Sequence, residues 1–200
     1  ADPATTMKPD ELLQKEMRIR KQRIERLQKL NAAKKLRGDL PSVEYDSTTR
    51  EVVIHNLAGK GKDLFNQYMQ RGEHYLGLKR PQFYDAARQY DLAGMVRPQN
   101  PLAAIGRAIS SFGAGEWMTS AQHLERAMVL FPPIMESKFD LASMMNFDLD
   151  GMMNKETFSR RMVALDRWSK ALNESPKLML LQMFFYANRG DQENAWRVAD

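Results

Sequence analysis

Ala86, Tyr90, Ala93 and Pro98 are spaced four, three and five residues apart, and the spacing returns. Ser120, Leu124, Ala127 and Pro132 repeat it 34 residues later, and Ala164, Trp168, Ala171 and Pro176 repeat it again after 44. A unit of this length is one supersecondary element that cannot bury its own apolar face, so a chain that repeats it must stack its units against one another. On a helix the first three positions fall at i, i+4 and i+7, which is a single face. The small residue there admits a neighbouring helix, the large one fills the space beside it, and the alanine keeps the crossing close. The proline ends the helix, because it has no N–H to donate and disfavours helical geometry in the residue before it.

From Asp63 onward the apolar periodicity predicts helices over 63–78, 82–96, 101–113, 117–131, 135–146, 155–173, 177–189 and 192 to the end. Short turns between them make neighbours antiparallel. Gly72 and Tyr75, Ala108, and Ala142 stand at packing positions of the helices that precede each signature, and Ala195 opens a further second helix. In these residues the chain resembles the tetratricopeptide repeat family, a 34-residue helix–turn–helix with large, small and proline positions at fixed offsets. The resemblance covers 63–200, with repeats at 63–100, 101–134 and 135–178 and a partial one at 179–200. It is strongest on the second helix of each pair. The first repeat departs from it in a longer turn, "GLKRPQ", and the third is lengthened by ten residues. The resemblance implies an all-α fold, a right-handed superhelix of antiparallel helix pairs whose first helices line a concave face that holds peptides or partner proteins.

The first part of the chain reads differently. Residues 1–8 read as a flexible leader, and 9–37 as one basic amphipathic helix that starts at Pro9 and Asp10 and stops at Gly38. Its apolar stripe, Leu13, Met17, Ile24 and Leu27, is narrow and suits docking on one groove or one partner helix. Residues 1–37 hold 11 Lys/Arg against 5 Asp/Glu, and the rest of the chain 19 against 20, so the whole basic excess lies here. Residues 38–62 read as a linker. Val43, Tyr45 and Val52–Ile54 flank the turn chemistry of "DSTTR" and predict a short β-hairpin, and "LAGKGKD" reads as a flexible joint. Gly59–Lys62 lacks the spacing and the Ser/Thr of a phosphate-binding loop. No apolar run reaches the ~18 residues that a spanning helix needs. The absence of cysteine excludes disulfides and leaves the compartment, cytoplasmic or periplasmic, open.

Candidate site residues follow from the resemblance. Carried over, the inward positions of the first helices are Met69, Glu73 and Leu76, then Leu102, Ile105, Ile109 and Phe112, then Phe139 and Ser143. An acid-binding clamp needs Lys, Arg and Asn at such places, and these are mainly apolar. They predict an apolar groove for an amphipathic helix or peptide, filled otherwise by helix 9–37 or a second copy; the alternative is that they pack between repeats. In the lengthened third repeat, Asn146, Asp148 and Asp150 with Gly151 have the alternate-oxygen spacing of a calcium loop, but Thr157 stands where the closing glutamate belongs, one place after Glu156. A polar turn accounts for these residues equally well. Met152 and Met153 fall in the same inserted loop. His55, His74 and His123 show no metal-ligand spacing, and no nucleophile motif accompanies them, so neither an enzyme nor a cofactor is expected.

These readings converge on a non-catalytic protein–protein interaction scaffold that binds a partner peptide or helix, with self-association as a further expectation. The alternative is an anchoring module whose basic helix 9–37 holds nucleic acid or an anionic membrane. Its charges are interleaved with Glu16 and Glu25 and carry no aromatic residue for base stacking, which weighs against it.

Overall fold

The computed structural model describes residues 43–46, 51–132, 134, 137–145, 152–173 and 175–199. The chain divides into two units, residues 1–38 and 39–200, and every described residue belongs to the second. The expected helix 9–37 lies outside the described residues. The elements in order are β1 (Val43–Asp46), β2 (Glu51–Ile54), α1 (Leu64–Leu76), α2 (Phe83–Val96), α3 (Pro101–Ala114), α4 (Trp117–Leu130), β3 (Ser137–Phe139), α5 (Leu141–Met144), α6 (Met152–Ala171), α7 (Pro176–Arg189) and α8 (Gln192–Ala199). The described chain is mostly helical, with neighbouring helices packed in pairs.

Helix ends are set by local chemistry. Asp63 caps α1 by accepting from the Asn66 amide, and Asn100 caps α3 by accepting from Leu102 N at 2.9 Å, with Pro101 pre-set for the first turn. Gly115 closes α3 at φ 86°, a left-handed geometry that costs a side-chain-bearing residue strain.

The first two signatures pack as their spacing demands. Ala86, Tyr90 and Ala93 of α2, and Leu124 and Ala127 of α4, are fully buried. The Tyr90 ring lies between two helices that present glycine to it. A Cβ on Gly72 of α1 would stand 2.7 Å from the ring, and one on Gly106 of α3 would stand 2.4 Å from it. Ser120 takes the small position in the second signature, and its hydroxyl donates to Ala108 O at 2.7 Å, so a polar group is buried there with its hydrogen bond made.

The third signature is different. Trp168 is 53 % exposed and Ala171 is exposed, while Ala164 is half-buried. The cause is the order of packing: α7 packs on α4, and α8 on α7, so the helix that would cover Trp168 covers the second hairpin instead. The hairpins in contact succession are α1–α2, α3–α4 and α7–α8. Lys177 of α7 and Glu125 of α4 add an ion pair at 2.7 Å across that junction. Pro98 and Pro132 follow helix ends, whereas Pro176 begins α7.

A second correction concerns residues 135–146, where the periodicity predicts a helix. The structure instead has β3, pairing in parallel with β2, followed by the single turn α5. The expected β1–β2 hairpin is present and antiparallel, and its free edge at β2 recruits the third strand with Ile54 opposite Phe139. Ile54 of β2 stands opposite Phe139, and Phe139 packs on Phe184 with ring centroids 5.6 Å apart, so tertiary pairing overrides helical periodicity. Met152 and Met153 belong to α6 rather than to a loop.

The glycine contacts generate opposite outcomes for one kind of change. Gly106→Ala is expected to destabilise by about 1–3 kcal/mol through overpacking on Tyr90. Gly94→Ala on α2, where a Cβ meets nothing within 4 Å, is expected to stabilise by up to about 1 kcal/mol through helix propensity. Urea midpoints that move the same way for both would sink the tyrosine sandwich. The buried Tyr90 hydroxyl has no hydrogen-bond partner among the described residues. Tyr90→Phe is therefore expected to be neutral or stabilising in the same titration, and a loss above about 1 kcal/mol would reveal a bond to that oxygen.

Candidate interaction surface

The inward positions of the first helices do not line an open groove. Met69, Ile105, Ile109, Phe112 and Phe139 have no exposed surface, and Leu76 and Leu102 are buried with them. Glu73 is half-buried, and Ser143 alone of the nine is exposed. Phe139 stands on a strand and Ser143 on the one-turn α5, so neither belongs to a third first helix.

Two parts of the chain account for this burial. The ring of Phe112 stacks on Phe185 of α7 at 3.7 Å and meets Phe158 of α6 at 5.4 Å, which places α7 and α6 over the inner side of α3. Beside α1 runs the stretch read from the sequence as a flexible joint. Leu57 and Ala58 are buried, and both of their amides donate to Glu73 Oε1, the second at 2.8 Å. Gly59 N donates to Asn66 Oδ1 at 3.0 Å, and the Gln70 amide donates to Gly59 O at 2.9 Å. The joint is thus tied to α1 at successive residues. Glu73, placed by the resemblance on a binding wall, serves as its anchor.

Burial pushes the Glu73 carboxyl above its ordinary range, against the two amide bonds that favour the charged form. Burial also raises the Tyr90 phenol, with the Glu73 charge adding to it.

No spacing along the chain signals that His55 meets Asp140, 85 residues away. Their side chains bond at 3.0 Å where β2 and β3 end, and Asp140 N donates to Ile54 O. Burial works to raise the Asp140 carboxyl, but hydrogen bonds from Ser143 and His55 outweigh it and hold it below the usual value. His123 on α4 is lowered by burial and then by the Arg107 charge, while Arg107 itself pairs with Asp91 of α2 at 3.1 Å. These groups fasten element to element. Among the described residues no three His, Asp or Glu cluster as metal ligands, and no helix is long and apolar enough to cross a membrane. The calcium-loop residues Asn146, Asp148 and Asp150, and the side chain of Glu156, lie outside the described residues.

What the fold leaves outside is a set of large apolar side chains on the second helices. Tyr84 and Met95 of α2 are exposed, as are Met118 and Val129 of α4, and each member of the first pair is 34 residues from its counterpart in the second. Eleven residues separate the members of a pair, which returns them to one helix face about 16 Å apart. Val96 and Phe131 extend the patch at the C-terminal ends, where Met95 and Val129 are 76 % and 77 % exposed. Further along, Trp168 on α6 and Trp196 on α8 are exposed as well. Comparison with protein-family models, with curated proteins and with solved structures found no match to the chain.

The Glu73 anchor generates a pH signature. A carboxyl whose pKa is higher folded than unfolded contributes stability that is complete below the unfolded value, near 4.5, and lost as pH rises through the folded value. Wild type is therefore expected to gain on Glu73→Gln as pH is lowered from 7 to 4.5, read from urea midpoints; a constant difference would show that the carboxyl titrates normally. Glu73→Ala is expected to cost about 1–3 kcal/mol by leaving two amides unpaired and to speed hydrogen exchange at Leu57 and Ala58.

Proposed function

We propose that the chain is a non-catalytic interaction scaffold of the tetratricopeptide-like class, a superhelical stack of helix pairs that binds another polypeptide on its exterior. The observation that carries the reading is the recurrence of exposed apolar side chains, Tyr84 and Met95 then Met118 and Val129, with the period of the fold itself. Single exposed apolar residues are ordinary on any surface. A set repeated in register on successive hairpins is not scattered at random, and it offers a partner two matched pairs of apolar contacts set among polar neighbours. The buried signature residues explain why the helices stack, but they give no reason for Met95 and Val129 to be apolar. The occupant is a partner polypeptide or a second copy of the chain. The inner groove is not part of this reading, because its residues are core. The alternative, nucleic-acid or membrane anchoring through helix 9–37, rests on residues outside those described.

The test is a photo-crosslinking amino acid placed at position 95 in the full chain, with a second chain labelled at the exposed Lys170 of α6 as reference. The site at 95 is expected to join one defined polypeptide, and Val129→Glu is expected to abolish that adduct while the thermal midpoint moves by less than about 3 °C, as befits a surface change. Adducts equal in yield and identity from 95 and 170 would dismiss the apolar pairs as a contact surface.

A further inference from the structure

We propose that the outer face of α1, with the loop 59–62 pinned beside it, is a docking surface for an acidic polypeptide segment. It is separate from the apolar rows on α2 and α4 and deepens the scaffold reading only in giving the chemistry of a partner.

On α1 the buried residues Phe65, Met69, Gly72 and Leu76 occupy one side, and Gln67, Gln70, Arg71 and His74 occupy the opposite, exposed side. Gln67 donates to Lys62 O at 2.7 Å, and Gln70 donates to Gly59 O at 2.9 Å and Gly61 O at 3.4 Å. Those bonds hold the backbone of the glycine-bearing loop against the helix side that carries Arg71 and His74, and the loop's Lys60 and Lys62 are both exposed. The face carries an open depression of about 330 Å³ lined by Gln67, Gln70, Arg71, His74 and Tyr75.

The charge there is unopposed. Between residues 55 and 82 the acids are Asp63 and Glu73. Asp63 is engaged by Asn66 and by Arg97 at 3.2 Å, and Glu73 is turned to the Leu57 and Ala58 amides. Among the described residues Lys60, Lys62 and Arg71 take part in no ion pair. Lys60 and Lys62 on a loop whose backbone two glutamines hold, and Arg71 on α1, have no ion-pair partner among the described residues and form a surface complementary to carboxylates; Arg71 can bind one through two parallel N–H bonds. The depression has room for side chains rather than for a polymer track. Tyr75 lines the depression but is half-buried and stands without a second tyrosine, phenylalanine or tryptophan in that lining, so the face lacks the succession of rings on which a strand of bases stacks, which favours an acidic peptide over nucleic acid.

The experiment uses the full chain and a fluorescein-labelled deca-glutamate peptide, followed by anisotropy at low salt. The triple variant Lys60→Gln, Lys62→Gln, Arg71→Gln is expected to weaken binding roughly tenfold, in keeping with the modest strength of exposed ion pairs. The control Lys21→Gln, Arg23→Gln, Arg26→Gln, in the other basic segment, is expected to change it less than twofold. Binding by wild type is expected to fade as salt is raised, since exposed charges are screened. The proposal is overturned if the first variant binds as wild type does, or if the control loses as much. It is overturned in its ligand class if a single-stranded decanucleotide displaces the peptide from wild type but not from the first variant at equal concentration. Circular dichroism melts of both variants keep misfolding from being read as lost binding. Because the apolar rows are untouched by these substitutions, crosslinking at position 95 in the first variant reports separately on the scaffold reading.

Discussion

The ring of Tyr90, held between Gly72 of its own hairpin and Gly106 of the next, is the contact on which the rest of the stack depends. Each glycine gives up about 1 kcal/mol of helix propensity relative to alanine. Burying the ring returns an amount of the same order, about 1.5–3 kcal/mol for a large side chain. The near balance means that the arrangement secures geometry more than stability. One tyrosine touches three consecutive helices and sets the closeness of α1, α2 and α3 together. Ala86 and Ala93, four residues before and three after, keep the crossing as close on the same face. The second hairpin solves the same problem with a smaller Leu124 and with Ser120 bonded to the Ala108 carbonyl, so neither the aromatic ring nor the apolar small residue is obligatory. What the spacing specifies is the pattern of volumes.

A second constraint acts across that pattern. β2 precedes the first hairpin and β3 follows the second, and their parallel pairing joins chain segments on either side of α1 to α4. A parallel pair needs a long crossover, and here the crossover is two whole repeat units. The clip brings Phe139 into the core against Phe184 of α7, and Phe139 N is bonded by the Asn188 side chain, so α7 is fixed from the strand side as well as by α4. The inner side of the first helices is closed as a result. The positions that the resemblance would place on a groove are covered instead by the tethered 57–61 segment and by the aromatic cluster of Phe112, Phe158 and Phe185, with Phe139 of β3 buried against Phe184.

Helices α1 to α4, α7 and α8 were legible because each carries a clean 3.6-residue apolar face with stop signals at its ends. The fate of residues 135–146 was not, because a short apolar run is compatible with strand or helix until its partner is known. That partner, β2, is more than eighty residues away. The same distance hid the bond of His55 to Asp140. The third signature misled in a more instructive way. Ala164, Trp168 and Ala171 satisfy the spacing, yet burial at such positions is conferred by the next helix, and α7 packs on α4. Periodicity reports which face a helix intends to bury, and it is silent on whether a neighbour arrives. The loop 57–61 was misread for a related reason: its glycines suggested freedom, while Glu73, Asn66 and Gln70, all on one helix, supply the acceptors and donors that remove it.

Closing the inner wall moves recognition outward, and the exterior is not uniform. An exposed methionine or valine gains little from folding, since the apolar area stays in water. Folding alone therefore does not select for Met95 and Val129. Duplication of an ancestral unit would copy an exposed apolar residue without purpose, but a copy without purpose is free to become polar, as its neighbours on the same face are at Arg88, Gln122 and Glu125. The two pairs instead differ in identity, tyrosine against methionine and methionine against valine, while all four are large and apolar. Retained character with altered shape is what contact with a surface requires when the two hairpins meet different parts of it. The cationic face of α1 and its loop stands at the opposite limit of the same logic: there Lys60, Lys62 and Arg71 keep their charge with no ion-pair partner among the described residues. The proposed binding of a polypeptide thus draws on one apolar and one electrostatic feature, both borne by elements that the tyrosine sandwich and the strand pairing join.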